Sequence, residues 1–291
     1  MARNMKCDLC PRKCFAERTE DYGKGFCGLN DKIKVARIAA HMWEEPPISA
    51  ENGSGAVFFS GCTLRCIYCQ NYEISEKQKG KNISPKTLAE EIKKLEASGV
   101  HNINLVSPTP YVNLIKQALD IYKPSIPIVY NSSGYERVST IEALKGYIDI
   151  YLPDFKYSSD ELAYEYSGAK DYVVTAKKAI RAMINQAGDN EYDNNGVMKK
   201  GVIIRHLVLP NHTKNSMGVL DIIKENFPDK PVSLMGQYVP VYKAVGHKKL
   251  GRKITTREYK KVTDYMIRLE IDGFTQELSS ADEDFIPDWN Y

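Results

Sequence analysis

The chain has 291 residues, 43% hydrophobic and 26% charged, the composition of a soluble globular protein long enough to bury a core. Its 40 basic and 37 acidic residues leave a formal net charge of +3, which gives no reason to expect a nucleic-acid partner. No stretch approaches the roughly 20 apolar residues that span a bilayer, and Met1–Lys6 leads into a cysteine pair with no apolar signal stretch, so the expected location is the cytoplasm, away from membranes.

Seven cysteines, none beyond Cys69, divide by spacing into four and three. Disulfide frameworks belong to small secreted chains, whereas clustered cysteines in a long cytoplasmic chain point to metal binding or catalysis. Residues 1–50 hold Cys7, Cys10, Cys14 and Cys27 among charged residues and glycines, with too little apolar material to fold without bound metal. Gly53-Ser54-Gly55 then punctuates the chain, and Ala56–Phe59 predicts a buried strand running into the loop at Gly61-Cys62. Ser84-Pro85 predicts a helix start, an N-cap followed by proline at the first helical position. Leu88, Ile92 and Leu95 keep helical spacing behind it and Gly99 ends it. Further strands are predicted at 102–106, 126–130, 148–152, 202–208 and 232–235. Helical spacing recurs at Val173, Ala176, Ile180 and Met183, at Val219, Ile222, Ile223 and Phe227, and after the last strand at Tyr259, Val262, Met266 and Leu269. Gly188–Gly201 reads as a polar surface loop. The acidic tail 275–291, with Phe285, Ile286 and Trp289, reads as a segment docked on the body.

Six strands alternating with helices imply an α/β fold with a parallel sheet, and six are too few for the closed eight-stranded barrel. Apolar runs in place of alternation fit strands covered on both faces. The reading is a partial (βα)6 barrel over residues 51–274, preceded by the four-cysteine segment 1–50 and followed by the tail; a flat doubly wound sheet has the same local signature. Either way, functional loops follow the C-terminal ends of the strands.

The loop after the first predicted strand reads Ser60-Gly61-Cys62-Thr63-Leu64-Arg65-Cys66-Ile67-Tyr68-Cys69-Gln70-Asn71 and contains C-x3-C-x2-C. Short spacings let one loop wrap three corners of an iron–sulfur cubane, and three thiolates leave one iron with the open position that binding a reactant requires. A structural zinc loop is the competing reading, but zinc closes with four ligands; Cys27 is the only further cysteine that could reach. With Tyr68 before the third cysteine and a position after the first strand of a βα domain, this motif resembles the radical S-adenosylmethionine (SAM) superfamily. The resemblance implies a [4Fe–4S] cluster whose open iron chelates SAM, reductive cleavage to a 5′-deoxyadenosyl radical, and a reducing flavodoxin or ferredoxin as electron donor.

Over roughly residues 5–270 the chain is similar to proteins described as pyruvate formate-lyase activating enzyme-like, sharing the C-x2-C-P-R-x-C element at Cys7–Cys14. The superfamily's glycine-rich G-G-E element after the second strand is replaced here by Val106-Ser107-Pro108-Thr109-Pro110, so Ser107, Thr109 or backbone carbonyls are left to hold the SAM amino group. By the resemblance, Asn131 matches a T-N-G turn and Asp154-Phe155-Lys156 a D-x-K element. Asp154 then accepts from the ribose hydroxyls and Lys156 neutralises a carboxylate. Arg205 in an R-x-x-x-x-P element becomes the partner of the methionine carboxylate, and Gln237 with Tyr238 sits at the closing loop. Bland alternatives stand beside these: Asp154 as a helix cap, Arg205 paired structurally with Asp149 or Asp154, His206 facing the opposite side, and the remaining histidines on the surface or in the core. No residue is assigned as an acid or base catalyst. Cys7, Cys10, Cys14 and Cys27 supply four thiolates, enough to saturate one zinc ion or an auxiliary [4Fe–4S] cluster. The implied activity is activation or modification of a protein or peptide, as glycyl-radical activating enzymes perform. A small-molecule or peptide substrate is the second expectation, with the basic residues Lys243, Lys248, Lys249, Arg252 and Lys253 facing an anionic group. A non-enzymatic iron–sulfur or zinc protein is the third.

Overall fold

The computed structural model describes residues 6–276 and Trp289. The strands are β1 (Ile33–His41), β2 (Ser54–Phe59), β3 (Lys81–Ile83), β4 (Ile103–Val106), β5 (Ile128–Ser132), β6 (Ile150–Pro153), β7 (Glu191–Tyr192), β8 (Met198–Val202), β9 (Ile204–Leu207), β10 (Val232–Met235) and β11 (Gly273–Thr275). The helices are α1 (Pro46–Ser49), α2 (Tyr72–Ser75), α3 (Pro85–Ala97), α4 (Val112–Ile121), α5 (Val138–Glu142), α6 (Asp160–Ser167), α7 (Tyr172–Ala187), α8 (Thr213–Asn226) and α9 (Thr256–Arg268).

All six expected strands are present, as β2, β4, β5, β6, β9 and β10, with the two middle ones starting two residues later than their patterns indicated. β2, β4, β5 and β6 lie side by side in parallel, and β9, β10 and β11 form a second parallel set. A parallel bridge between Asp154 and Arg205, with Phe155 N donating to Arg205 O at 2.7 Å, joins the two sets. Among the described residues no pairing connects the β3 edge to the β11 edge, so the sheet stays open.

Local chemistry explains the helices that bracket it. Ser84 Oγ accepts the Thr87 amide at 3.0 Å to start α3, and Thr255 with Glu258 forms a reciprocal capping box on α9. Leu88, Ile92, Ala176, Ile180, Met183, Val219 and Val262 are fully buried against the sheet, which places the core on its helical side.

Three expectations are corrected. Gly188–Gly201 is a hairpin of β7 and β8 rather than a loop; its polar residues face solvent while Met198, Gly201 and Val202 bury the other side, and β8 pairs in parallel with β6. The single run 202–208 is divided: Val202 belongs to β8, and at Ile203 the chain leaves that strand to start β9 beside β10. Within residues 1–50, β1 is a nine-residue strand that pairs antiparallel with β2, His41 opposite Ser54, and adds Ile33, Val35 and Ala36 to the interior.

Because β1 runs against β2, it delivers residues 42–49 to the N-terminal ends of the parallel strands. There α1 buries Ile48 among Val129, Ile150, Leu152, Met198 and Ile203, a burial that stabilises by about 1.5–3 kcal/mol. Of the tail, Gln276 follows β11 and Trp289 packs edge-on to Phe58 at 5.3 Å; Phe285 and Ile286 lie outside the described residues. No helix among the described residues is long and apolar enough to cross a membrane.

Candidate active site

The loop that leaves β2 turns through Gly61 at φ +83, where any side chain would strike Leu29, and through Arg65 at φ 53. It places Cys62, Cys66 and Cys69 on the wall of one cavity of about 240 Å3. Each sulfur accepts a hydrogen bond: the Leu64 amide donates to Cys62 at 3.4 Å, Ser167 Oγ to Cys66 at 2.9 Å and Ser75 Oγ to Cys69 at 3.4 Å. A hydroxyl chain continues behind Cys66, from Tyr68 Oη to Tyr157 Oη at 2.8 Å and on to Ser167 Oγ at 2.5 Å. The aromatic before the third cysteine is therefore an anchor that sets the Ser167 donor on Cys66. Burial pushes the Cys69 thiol up to about 12, so these sulfurs become thiolates together with cation binding.

From the cysteines the cavity wall alternates in charge. Lys156 lies within electrostatic reach of Cys62 and Cys66, and its Nζ donates to Asp154 Oδ2 at 2.6 Å. Arg205 Nε donates to Asp154 Oδ1 at 3.0 Å, its Nη2 to Asn131 Oδ1 at 2.5 Å and its Nη1 to Glu44 Oε2 at 3.3 Å. Asn104 Nδ2 donates to Glu44 Oε1 at 2.9 Å. Burial raises the Asp154 carboxyl, but Lys156 and Arg205 outweigh it and hold the group below the usual carboxylate range. Glu44 lacks that surplus of cations: burial, opposed by Arg205 and reinforced by Glu45, lifts it to about 7.

Of the residues expected at the site, Cys62, Cys66, Cys69, Ser107, Asn131, Asp154, Lys156, Arg205 and Gln237 line this cavity. Ser107 does so with a left-handed backbone at φ 59. Thr109 does not: it is buried on the 3-10 turn after β4, and its hydroxyl donates to Glu136 Oε1 at 2.6 Å. The local motif placed it near the strand end, but the turn carries its side chain into the core. Arg205 does pair with Asp154, as the structural alternative held, while Asp149 instead accepts the Ile128 amide at 2.8 Å. His206 faces the other side, between Phe155 O at 2.7 Å and Ser216 Oγ at 2.9 Å. Lys243 pairs with Glu76 at 2.9 Å.

Glu44, Glu45, Asn71, His41 and Ser167 escaped the sequence reading. Glu44 and Glu45 come from the segment after β1, outside the βα repeat, where no spacing marks them. Asn71, two residues past Cys69, presents a buried Oδ1 with no donor.

The donor set fits the groups the motif implies. A cluster of several irons spreads its ligands over several metal atoms, and three thiols facing one cavity suit it. The N-terminal cysteines also gather, Cys7 and Cys10 each within electrostatic reach of Cys27. A Cβ at Gly25 would sit 3.1 Å from Cys14 Sγ and 4.0 Å from Cys27 Sγ, so glycine there leaves the sulfurs room. Arg12 ties this element to the cavity loop, its Nε donating to Thr63 O at 2.8 Å and its Nη2 to Ser167 O at 2.6 Å at the end of α6.

Comparison with known proteins agrees with this fold. The uncharacterized protein MJ0674 of Methanocaldococcus jannaschii is 31% identical over 286 residues, 94% of this chain and 78% of that protein. A radical SAM methyltransferase from Sphaerobacter thermophilus shares the fold with a TM-score of 0.53 at 12% identity, over 76% of this chain and 65% of that one. Streptococcus suis SuiB, solved bound to the precursor peptide SuiA, does so with a TM-score of 0.51 at 18% identity, over 76% of this chain and 48% of that one. The chain thus spans about half the length of SuiB and just under two thirds of the methyltransferase. Residues 56–221, more than half of the sequence and all of the strands from β2 to β9, match the family described as the radical SAM superfamily, and the chain belongs to it.

Proposed function

We propose that the protein is a radical SAM enzyme that abstracts a hydrogen atom from a protein or peptide, as glycyl-radical activating enzymes do. Cys62, Cys66 and Cys69 hold a [4Fe–4S] cluster in this reading, with one iron open to SAM. When bound, these groups supply one-electron cleavage of the sulfonium to methionine and a hydrogen-abstracting 5′-deoxyadenosyl radical. Three thiols at one end of a cavity whose wall carries Lys156, Asp154, Arg205 and Glu44 in alternating charge support it most strongly.

The chain's own residues bind and orient. Lys156 attracts the methionine carboxylate toward the cysteine end, and Arg205, fixed by Asp154 and Asn131, adds its charge without free rotation. The orphan Oδ1 of Asn71 accepts from the SAM ammonium, the contact that the missing glycine-rich element leaves unfilled. Asp154 accepts from the ribose, Ser107 and Gln237 flank it, and Phe58, Tyr68 and Tyr238 keep water away from the reacting carbon. A reduced flavodoxin or ferredoxin delivers the electron. Cys7, Cys10, Cys14 and Cys27 hold zinc or a second [4Fe–4S] cluster; about four irons per chain would indicate the first and about eight the second.

SuiB, a neighbour in fold, was solved with a precursor peptide, which supports a peptide substrate. The floor that α1 builds under the cavity favours a second reading, a small-molecule substrate. Anaerobic reconstitution with SAM and dithionite, followed by chromatography, tests the chemistry. The wild type is expected to form 5′-deoxyadenosine and Cys66→Ala to form none while keeping its circular dichroism; equal yields from both would overturn the assignment of the loop. A glycyl-radical doublet in electron paramagnetic resonance with a partner protein separates the two substrate readings.

A further inference from the structure

The end of the cavity away from the cysteines carries an acceptor without a donor, with a second orphaned oxygen in the packing behind it. Glu45 is only 7% exposed, lines the cavity and has a buried Oε2 with no hydrogen-bond partner. Asn104 is fully buried; its Nδ2 is spent on Glu44, and its Oδ1 has no partner. Leaving a buried acceptor unpaired costs about 1–3 kcal/mol, more for a carboxylate, so the Glu45 Oε2 on the cavity wall marks the place of a missing N–H group. Charge agrees: the wall carries three carboxyl groups beside the two cations Lys156 and Arg205, and of these Asp154 pairs with both cations and Glu44 with Arg205. Burial, seconded by Arg37, lowers His41, the other basic group on that wall, and disfavours its charged form. The alternation that starts at the thiolates therefore ends on Glu45, whose buried Oε2 has no hydrogen-bond partner among the described residues and whose neighbouring cation, Arg205, is already shared with Asp154 and Glu44.

The geometry points to a protonated amine of the substrate, bound by Glu44 and Glu45 at the floor of the cavity, with Asn104 behind them holding Glu44. An ammonium brings three N–H donors, no acceptor and a positive charge, which matches an orphaned carboxylate oxygen beside a second carboxyl group; a carboxylate brings no donor, and a hydroxyl brings one donor without the charge. The cation belongs to the substrate because of where the floor lies. The cysteine loop follows the C-terminal end of β2, whereas Glu44 and Glu45 arrive at the N-terminal ends of the strands by way of antiparallel β1, just before the plug of Ile48. A SAM ammonium held at the cysteines is at the opposite end, and adenine and ribose carry no charge. Phe58 and Trp43 on the same wall give an alkyl stem an apolar path to the carboxylates. This deepens the reading of the cavity as a SAM site and rests on it.

The test uses reconstituted holoenzyme with SAM present and blocked tripeptides of the form acetyl-Gly-Xaa-Gly-amide, with Xaa lysine, norleucine or glutamate, alongside n-butylamine, in a calorimetric titration. The lysine peptide is expected to bind about tenfold tighter than its norleucine counterpart, the effect of one charge-assisted contact, with Glu45→Gln bringing the ratio to about one and Glu45→Asp restoring part of it. Preference for n-butylamine over the lysine peptide would assign the same site to a small amine. Equal binding of lysine and norleucine peptides by a wild type that still forms 5′-deoxyadenosine would overturn the amine site alone. Loss of SAM affinity in Glu45→Gln, with the peptide preference intact, would hand the carboxylate to the SAM ammonium and overturn it as well. Failure of the wild type to form 5′-deoxyadenosine at all would remove both readings together.

Discussion

His206 stands one position past Arg205 on β9, and alternation along a strand sends the two to opposite faces. Arg205 meets Asp154, Asn131 and Glu44 in the cavity; His206 is sealed on the far side, where its Nδ1–H donates to Phe155 O and its Nε2 accepts from Ser216. Those two contacts suit neutral imidazole, with one donor and one acceptor, and burial, seconded by Lys156, lowers its pKa to about 4. A folded-state value below the unfolded 6.5 means that the unfolded chain takes up the proton first, so the stability this group contributes is present above pH 6.5 and is lost as pH falls toward 4. The drop amounts to the order of 3 kcal/mol. In denaturant titrations His206→Gln is expected to lose less stability than the wild type between pH 6.5 and 4, and parallel curves would contradict the burial of a neutral ring. Asp154, Lys156 and Asn131 were legible in the sequence because each sits at or just past the C-terminal end of a strand, where a parallel sheet gathers its functional groups; Arg205, second on β9, was legible through its R-x-x-x-x-P element. Glu44, Glu45 and Asn71 were not. Their role arises from orphaned oxygens and charge imbalance, properties of the folded cavity that no spacing encodes.

Among elements, α1 shows how a four-residue turn acquires weight. Neither the periodicity nor the apolar content of residues 42–49 marks a core element, yet Pro47, Ile48 and Ser49 are buried because β1 runs against β2 and leaves them under the parallel strands. Ile48 packs with Val129 of β5, Ile150 and Leu152 of β6, Met198 of β8 and Ile203 just before β9. Ile48→Ala is expected to cost about 2–5 kcal/mol, read as a lowered midpoint in thermal unfolding, and an unchanged midpoint would contradict a packed floor. β1 itself was hidden for a related reason: its apolar residues are interleaved with Lys34, Arg37 and His41, the pattern of a strand with one wet face, and it lies in a stretch whose cysteines draw the reading toward metal. The hairpin of β7 and β8 was hidden by polarity, since Asp193, Asn194 and Asn195 form its turn. By contrast, the helices α3, α7, α8 and α9 followed from spacing alone, because each is long enough to show several turns of an apolar face.

At the scale of the whole molecule, the βα succession predicts six parallel strands in chain order, and the open sheet contains them. The additions are β1 and β3 beyond β2, the hairpin of β7 and β8 beside β6, β11 beyond β10, and the four-cysteine element clasped by Arg12 to the loop that carries the other three cysteines. That arrangement sets the cysteine loop at one end of the cavity and the acidic floor at the other, with the ion-paired wall between them. The account depends on an iron that no residue of the chain ligates and that SAM occupies. Electron–nuclear double resonance of the reduced cluster, in the presence of SAM labelled with 15N in its amino group and 17O in its carboxylate, tests this most directly. Couplings from both labels are expected in the wild type. A fully loaded, reduced cluster that shows neither coupling while SAM is bound would contradict it.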